Sequence, residues 1–223
     1  MTGATERTSE TVFLTHNRIR LALHELRRGK GRALLVLHGL GEQIPAQVPT
    51  ELLPWKGPIW GLDFTGHGDS TVPAGGGYTC ELLMADADVA LAHLGAAALY
   101  GRGLGGYVGL LLAGARPTLV QGLIIGDGPG IAGGGTRPGA LSIISVPPDE
   151  AGKAPDPFAL AELSRDVRPT DYAAGFALEA VRNSSLEPAI AVCAFARPDW
   201  LRAVTEEYGV AVLTLDKALA TFA

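Results

Sequence analysis

The stretch with the most chemical content is Leu99-Tyr-Gly-Arg-Gly-Leu-Gly-Gly-Tyr107, a run of small residues between an apolar segment and a helical one. Two reactive frames fit it. In a G-x-S-x-G corner, small flanking residues let the chain turn sharply and lift a central nucleophile clear of the sheet. Here that frame reads Gly101, Arg102, Gly103, Leu104, Gly105, and its centre bears only a hydrogen. Gly101, Gly103 and Gly106 also match G-x-G-x-x-G, the loop that seats a dinucleotide pyrophosphate on a helix N-terminus. Asp127 stands about 20 residues on, where such folds place a ribose-binding acid. A third reading is a tight turn that holds no ligand.

Acyl transfer at such a corner needs a Ser, Cys or Asp to attack, an imidazole to take the proton, and a carboxylate to orient the imidazole. Glycine offers no attacking atom. The histidines are His16, His24, His38, His67 and His93, and all precede the corner. Arg102, beside the missing nucleophile, has the charge to pair with an anionic ligand or with Asp127.

These residues need a scaffold, and the hydrophobic pattern supplies one. Residues 12–15 and 18–27 read as a hairpin turning at His16-Asn17. Ala33–Leu37 and 58–63 are unbroken apolar runs, which suit strands buried on both faces of a parallel sheet. Cys80–Leu94 carries Leu82, Leu83, Ala87, Ala90, Leu91 and Leu94 at helical spacing. Residues 96–100 read as a strand, Leu104–Ala115 as a helix stopped by Pro117, and Val120–Gly126 as a further strand. Short alternation of strand and helix predicts an α/β fold with a mainly parallel central sheet flanked by helices. Gly, Pro, Asp and Ser crowd residues 128–188, with short helices at 157–165 and 171–182; this predicts a small lid-like insertion in one domain spanning 1–223. Residues 189–196 and 210–215 resume the sheet around a helix at 198–208, and 216–223 reads as a short tail.

Together these motifs resemble the α/β-hydrolase superfamily over most of the chain, in that family's order. His38-Gly39-Leu40-Gly41 looks like the oxyanion loop after the third strand. Asp63-Phe-Thr-Gly-His-Gly-Asp-Ser70 is similar to the D-x-x-G-x-G-x-S turn after the fourth, and Gly101 to Gly106 falls where the nucleophile elbow belongs. A dinucleotide site explains only the middle of this series. The resemblance implies a nucleophile, an acid and then a histidine along the chain. Asp199, in Ala196-Arg-Pro-Asp199, matches the acid position and Asp127 is a second candidate, but residues 214–223 contain no histidine. The expected oxyanion donors are backbone N–H groups of Leu40 and Leu104, which survive side-chain change. The expectation is a catalytically degenerate member that binds a small ligand or a protein partner, with His38, Gly39, Leu40, Arg102, Gly103 and Leu104 lining the site. The alternative is an enzyme of non-serine mechanism in which His38 or a carboxylate activates water.

Composition narrows the field further. Hydrophobic residues at 47% and charged residues at 18% give a globular chain, and Gly 30 with Pro 15 suits many sharp corners. A net charge of −5, with Arg27, Arg28, Lys30 and Arg32 as the nearest basic run, argues against nucleic acid. Residues 1–10 are polar, and the longest apolar run, 104–115, is too short for a bilayer, so the expectation is a soluble cytoplasmic protein without a membrane partner. Cys80 and Cys193 read as separate buried thiols. No metal-ligand spacing or cofactor motif beyond the glycine frame is present, so no cofactor is expected.

Overall fold

A computed structural model describes residues 10–131, 152–164 and 168–223. The first nine residues and, within the expected lid segment, residues 132–151 and 165–167 (with the expected end of the 157–165 helix) lie outside that description.

The chain opens with the hairpin β1 (Glu10–His16) and β2 (Ile19–Arg27), paired antiparallel from His16↔Ile19 outward. Asn17 takes the left-handed conformation at φ 54, which its short polar side chain tolerates. β2 then pairs antiparallel with β4 (Ile59–Asp63). From there every pairing is parallel, through β3 (Ala33–Leu37), β5 (Ala97–Arg102), β6 (Val120–Gly126), β7 (Ile190–Val192) and β8 (Val210–Val212). The sheet order is β1-β2-β4-β3-β5-β6-β7-β8.

The unbroken apolar strands are explained by cores on both faces. Leu35 and Leu37 of β3 point into one cluster with helices α1 (Cys80–Leu94) and α2 (Leu104–Ala115). Leu34 and Val36 point into the other, with Ile44, Trp55 and Ile59. Thr79 starts α1 by accepting a hydrogen bond from Leu82 N–H, the expected side-chain cap. α2 lies so close to the sheet that a Cβ on Gly105 would stand 2.3 Å from the Leu37 carbonyl oxygen. Only glycine fits there.

Three expectations change. Residues 216–223 are not a loose tail: helix α6 (Leu215–Phe222) buries Ala218, Leu219 and Phe222 in the second core, and Arg32 donates to the Phe222 carbonyl at 2.6 Å. Its buried positions recur at one-turn spacing, a signal too brief to separate from coil. Within 128–188, helix α4 (Thr170–Asn183) is part of the helix layer, because Ala173, Ala177 and Ala180 form an apolar stripe packed on the first core. The shorter helix α3 (Pro157–Leu163), capped by Asp156, sits instead over the 66–78 loop: Asp156 N–H donates to Gly66 O at 2.8 Å, and Glu162 accepts from Gly77 and Tyr78 N–H. Finally, β7 and β8 are shorter than expected, and the helix between them, α5, spans only Asp199–Thr205.

Candidate functional site

The corner after β5 follows the backbone course of a nucleophile elbow, with glycine at its centre. β5 ends at Arg102, Gly103 adopts φ 50 and ψ −113, and α2 begins at Leu104. This is the strained strand-to-helix turn that such a nucleophile requires, occupied by a residue with no side chain.

The expected oxyanion donors are where the sequence places them, and they are already engaged. Leu40 N–H donates to the carbonyl of Pro129 at 2.9 Å, and Leu104 N–H donates to the same oxygen at 3.0 Å. The chain therefore holds its own carbonyl where a substrate carbonyl would be polarised. Residues Gly128 to Gly130 fill the room above the corner: a Cβ on Gly103 would stand 2.2 Å from Pro129 O and 2.5 Å from Gly128 C. The space left beside Gly103, Asp127 and Trp200 is about 10 Å³, room for a single water at most. The ligand cavity expected over Leu40, Gly103 and Leu104 is thus taken up by the chain, because a backbone carbonyl matches these donors as well as a ligand oxygen would.

His38 and Gly39 hold the loop beneath. His38 is buried, with Nδ1 2.8 Å from Gly39 O while Nε2 accepts from Phe64 N–H at 3.1 Å. Both ring nitrogens have partners in the neutral tautomer, and burial pushes its pKa down. His67 accepts from Gly41 N–H at 3.3 Å and stands 3.1 Å from Thr65 O through Nδ1. Burial, then the neighbouring His38, lower its pKa to about 4. The two imidazoles staple the 38–41 loop to the glycine-rich turn after β4. Neither presents a free nitrogen to a substrate.

Arg102 pairs with neither a ligand nor the Asp127 carboxylate. Its Nη1 donates to Glu42 at 3.1 and 3.2 Å, and its Nε donates to the Asp127 backbone carbonyl at 3.1 Å. Glu42 in turn accepts from Gly39 N–H at 3.0 Å, so the pair braces the 38–41 loop. Asp127 accepts from Phe195 N–H and Ala196 N–H, both at 2.9 Å, and so caps the turn after β7. Asp199 is the first residue of α5, exposed and paired with Arg202 one turn on. Neither carboxylate meets an imidazole, since no histidine follows residue 93 and the nearest loops give theirs to backbone groups.

Two further features escaped the sequence reading. His24, Asp63 and Asp69 bring donor atoms within 4.8 Å of one another. Asp63 is the hub: one oxygen lies 2.9 Å from His24 Nε2 and accepts from Asp69 N–H, while the other accepts from Ile44 N–H. Burial opposes its charge, but these hydrogen bonds, with His24 foremost, keep its pKa below the usual carboxylate value. With Thr11 2.8 Å from His24 Nδ1, the row ties the hairpin to β4. The second feature is an open cleft of about 570 Å³ at the C-terminal ends of β5 to β8, lined in part by Tyr100, Cys193, Phe195, Arg197, Thr214 and Lys217. Its residues come from four separated segments, so no local motif announces it.

The sheet order, its antiparallel opening, and the strained corner between β5 and α2 define the α/β-hydrolase fold. No protein-family model and no curated protein matches the chain. Among solved structures it is similar to a membrane phospholipase A described as a bacterial virulence factor, at 17% identity and TM-score 0.52, covering 93% of this chain and 79% of that one. It is also similar to an epoxide hydrolase from Vigna radiata, at 23% identity and TM-score 0.45, over 56% of this chain and 39% of that one. An alpha/beta hydrolase fold protein from Chitinophaga pinensis aligns at 21% identity and TM-score 0.46, covering 53% of this chain and 44% of that one. The chain thus spans about two fifths of the length of the epoxide hydrolase it matches. At these identities the likeness is one of fold.

Proposed function

We propose that this chain is an α/β-hydrolase-fold protein that binds a small molecule and does not hydrolyse esters. The observation that carries the reading is the Pro129 carbonyl on the Leu40 and Leu104 donors. Hydrolysis on this fold needs an attacking atom and a vacant pair of donors for the oxyanion. Gly103 removes the first, and Pro129 occupies the second. A ligand oxygen reaches Leu40, Gly103 and Leu104 only by displacing that carbonyl, so we place ligand binding elsewhere on the same end of the sheet.

A water-activating route through His38 finds no support in its geometry, because both ring nitrogens are engaged and burial favours the neutral ring. We read the chain as a single domain in which α3, through its contacts to the 66–78 loop, is the part of the 128–188 segment that covers this end of the sheet.

Hydrolysis of p-nitrophenyl acetate and butyrate tests the proposal. The expected rate equals the buffer blank. Turnover above the blank that is removed by His38→Ala or Asp127→Ala would refute it.

A further inference from the structure

The cleft over β5 to β8 has an architectural cause. β8 passes into α6 through Leu213 and Thr214 alone, so among the described residues no loop fills the ground beside the turn that Asp127 caps. The opening that results holds about 570 Å³, within the range of small-molecule sites. Its walls are Val212, Leu213, Leu215, Ala194 and Cys193. Phe195 stands on its rim 97% exposed, and Val212 is half exposed beside it. Apolar surface left in water at the mouth of a cavity favours a partner that covers it.

The polar groups are few and complementary to one charge sign. Arg197 lines the cleft with its Nε held by the Ala194 carbonyl at 3.1 Å, which orients the guanidinium and leaves its Nη donors without an acidic partner among the described residues. Lys217, on the first turn of α6, likewise forms no ion pair among the described residues. Thr214 precedes α6 without capping it through its side chain, so its hydroxyl is available. Asp127 is the acid among the lining residues, and its carboxylate is engaged by two backbone N–H groups. Tyr100 also lines the cleft: the residue is only 5% exposed, but its hydroxyl lies beside Gly126, has no hydrogen-bond partner among the described residues and, unlike the Tyr107 hydroxyl, is not sealed from solvent. Burial pushes that phenol up to about 12, so it remains a hydrogen-bond donor at any working pH. A donor open to the cleft and without a partner in the chain is free to meet an acceptor on a bound molecule.

We infer that this cleft binds a small carboxylate with an apolar body, its charge held by Arg197 and Lys217 at the rim, its body on Phe195, Val212 and Leu215, and a carbonyl or hydroxyl oxygen at its far end accepting from Tyr100. The inference rests on the ligand-binding part of the proposed function and gives it a location and a chemical class. The site is separate from the corner at Gly103, which its own loop closes.

Cys193 provides a readout inside the cleft. It is half-buried there, whereas Cys80 is fully buried, and burial raises the Cys193 thiol to about 11, so alkylation is slow enough to time at mildly alkaline pH. The experiment follows iodoacetamide modification of the Cys193 peptide by mass spectrometry with 4-acetylbenzoate, the neutral 4-acetylbenzamide, or benzoate added to the intact chain. At millimolar concentration, 4-acetylbenzoate slows modification by at least about threefold, the amide does not, and benzoate, lacking the far acceptor, protects less. Lys217→Glu, an exposed change, abolishes protection while leaving the melting temperature intact. Tyr100→Phe makes 4-acetylbenzoate and benzoate equivalent. Equal modification rates with and without 4-acetylbenzoate, or protection that survives Lys217→Glu, would overturn the inference. Such a result leaves the absence of ester hydrolysis standing, whereas p-nitrophenyl ester turnover would refute that absence without altering the protection data.

Discussion

At position 103 the sharp turn between β5 and α2 carries glycine, which on the proposed reading leaves the corner without an attacking atom. Gly103 sits at φ 50, where an L side chain is strained by about 1–3 kcal/mol, and Pro129 O occupies the space its Cβ would take. Gly103→Ser therefore lowers the melting temperature by several degrees and creates no esterase; a scanning calorimetry trace together with an ester assay reads both. An unchanged melting temperature with new turnover would mean that the 128–130 loop moves aside easily. The missing nucleophile was legible in the sequence, because a side chain that is absent is visible there. The occupant was not, because every residue owns a carbonyl and only the fold shows that Pro129's lands on Leu40 and Leu104. Glu42 lies between these cases. It stands three residues after Gly39, close enough to have been suspected as the acceptor for that loop, yet only the structure pairs it with Arg102.

Elements with a long hydrophobic period were read from the sequence with their observed ends. α1 and α2 are bounded by glycine, proline or a capping threonine, and the apolar positions of α1, α2, β3 and β6 repeat over several turns or without a break. α6 fails that test, since eight residues with three buried positions and no side-chain cap give a periodic signal too short to separate from coil. Its importance is nonetheless large. Phe222 is fully buried against Gly122 and closes the core beneath β6. Phe222→Ala is expected to cost about 3–5 kcal/mol, measured as a shift in the urea midpoint at unchanged slope. A loss below about 1 kcal/mol would restore the reading of residues 216–223 as a short tail.

For the whole molecule, strand order is a long-range property that periodicity does not encode; the alternation of strand and helix predicts a mainly parallel sheet, and only the structure shows β3 between β4 and β5. Among the described residues, no helix is long and apolar enough to cross a membrane. The molecule also responds to pH through its stapling histidines. His38 and His67 are both held neutral by burial, with folded pKa values below the ordinary 6.5. Below that value the unfolded chain takes up protons that the folded one refuses, so stability falls as pH drops from about 6.5 to about 4, by about 3 kcal/mol from His67 alone. Chemical denaturation across that window reads the slope, and His67→Gln flattens it. A pH-independent midpoint over the same window would mean that the stapled loop is solvated.

The most direct measurement of the central claim is the intact mass of the protein after prolonged exposure to a fluorophosphonate, which adds covalently to an activated hydroxyl at any position in the chain. With the donors on Pro129 and a hydrogen at position 103, the mass stays that of the unmodified chain. A stoichiometric phosphonyl adduct on any residue would contradict the account.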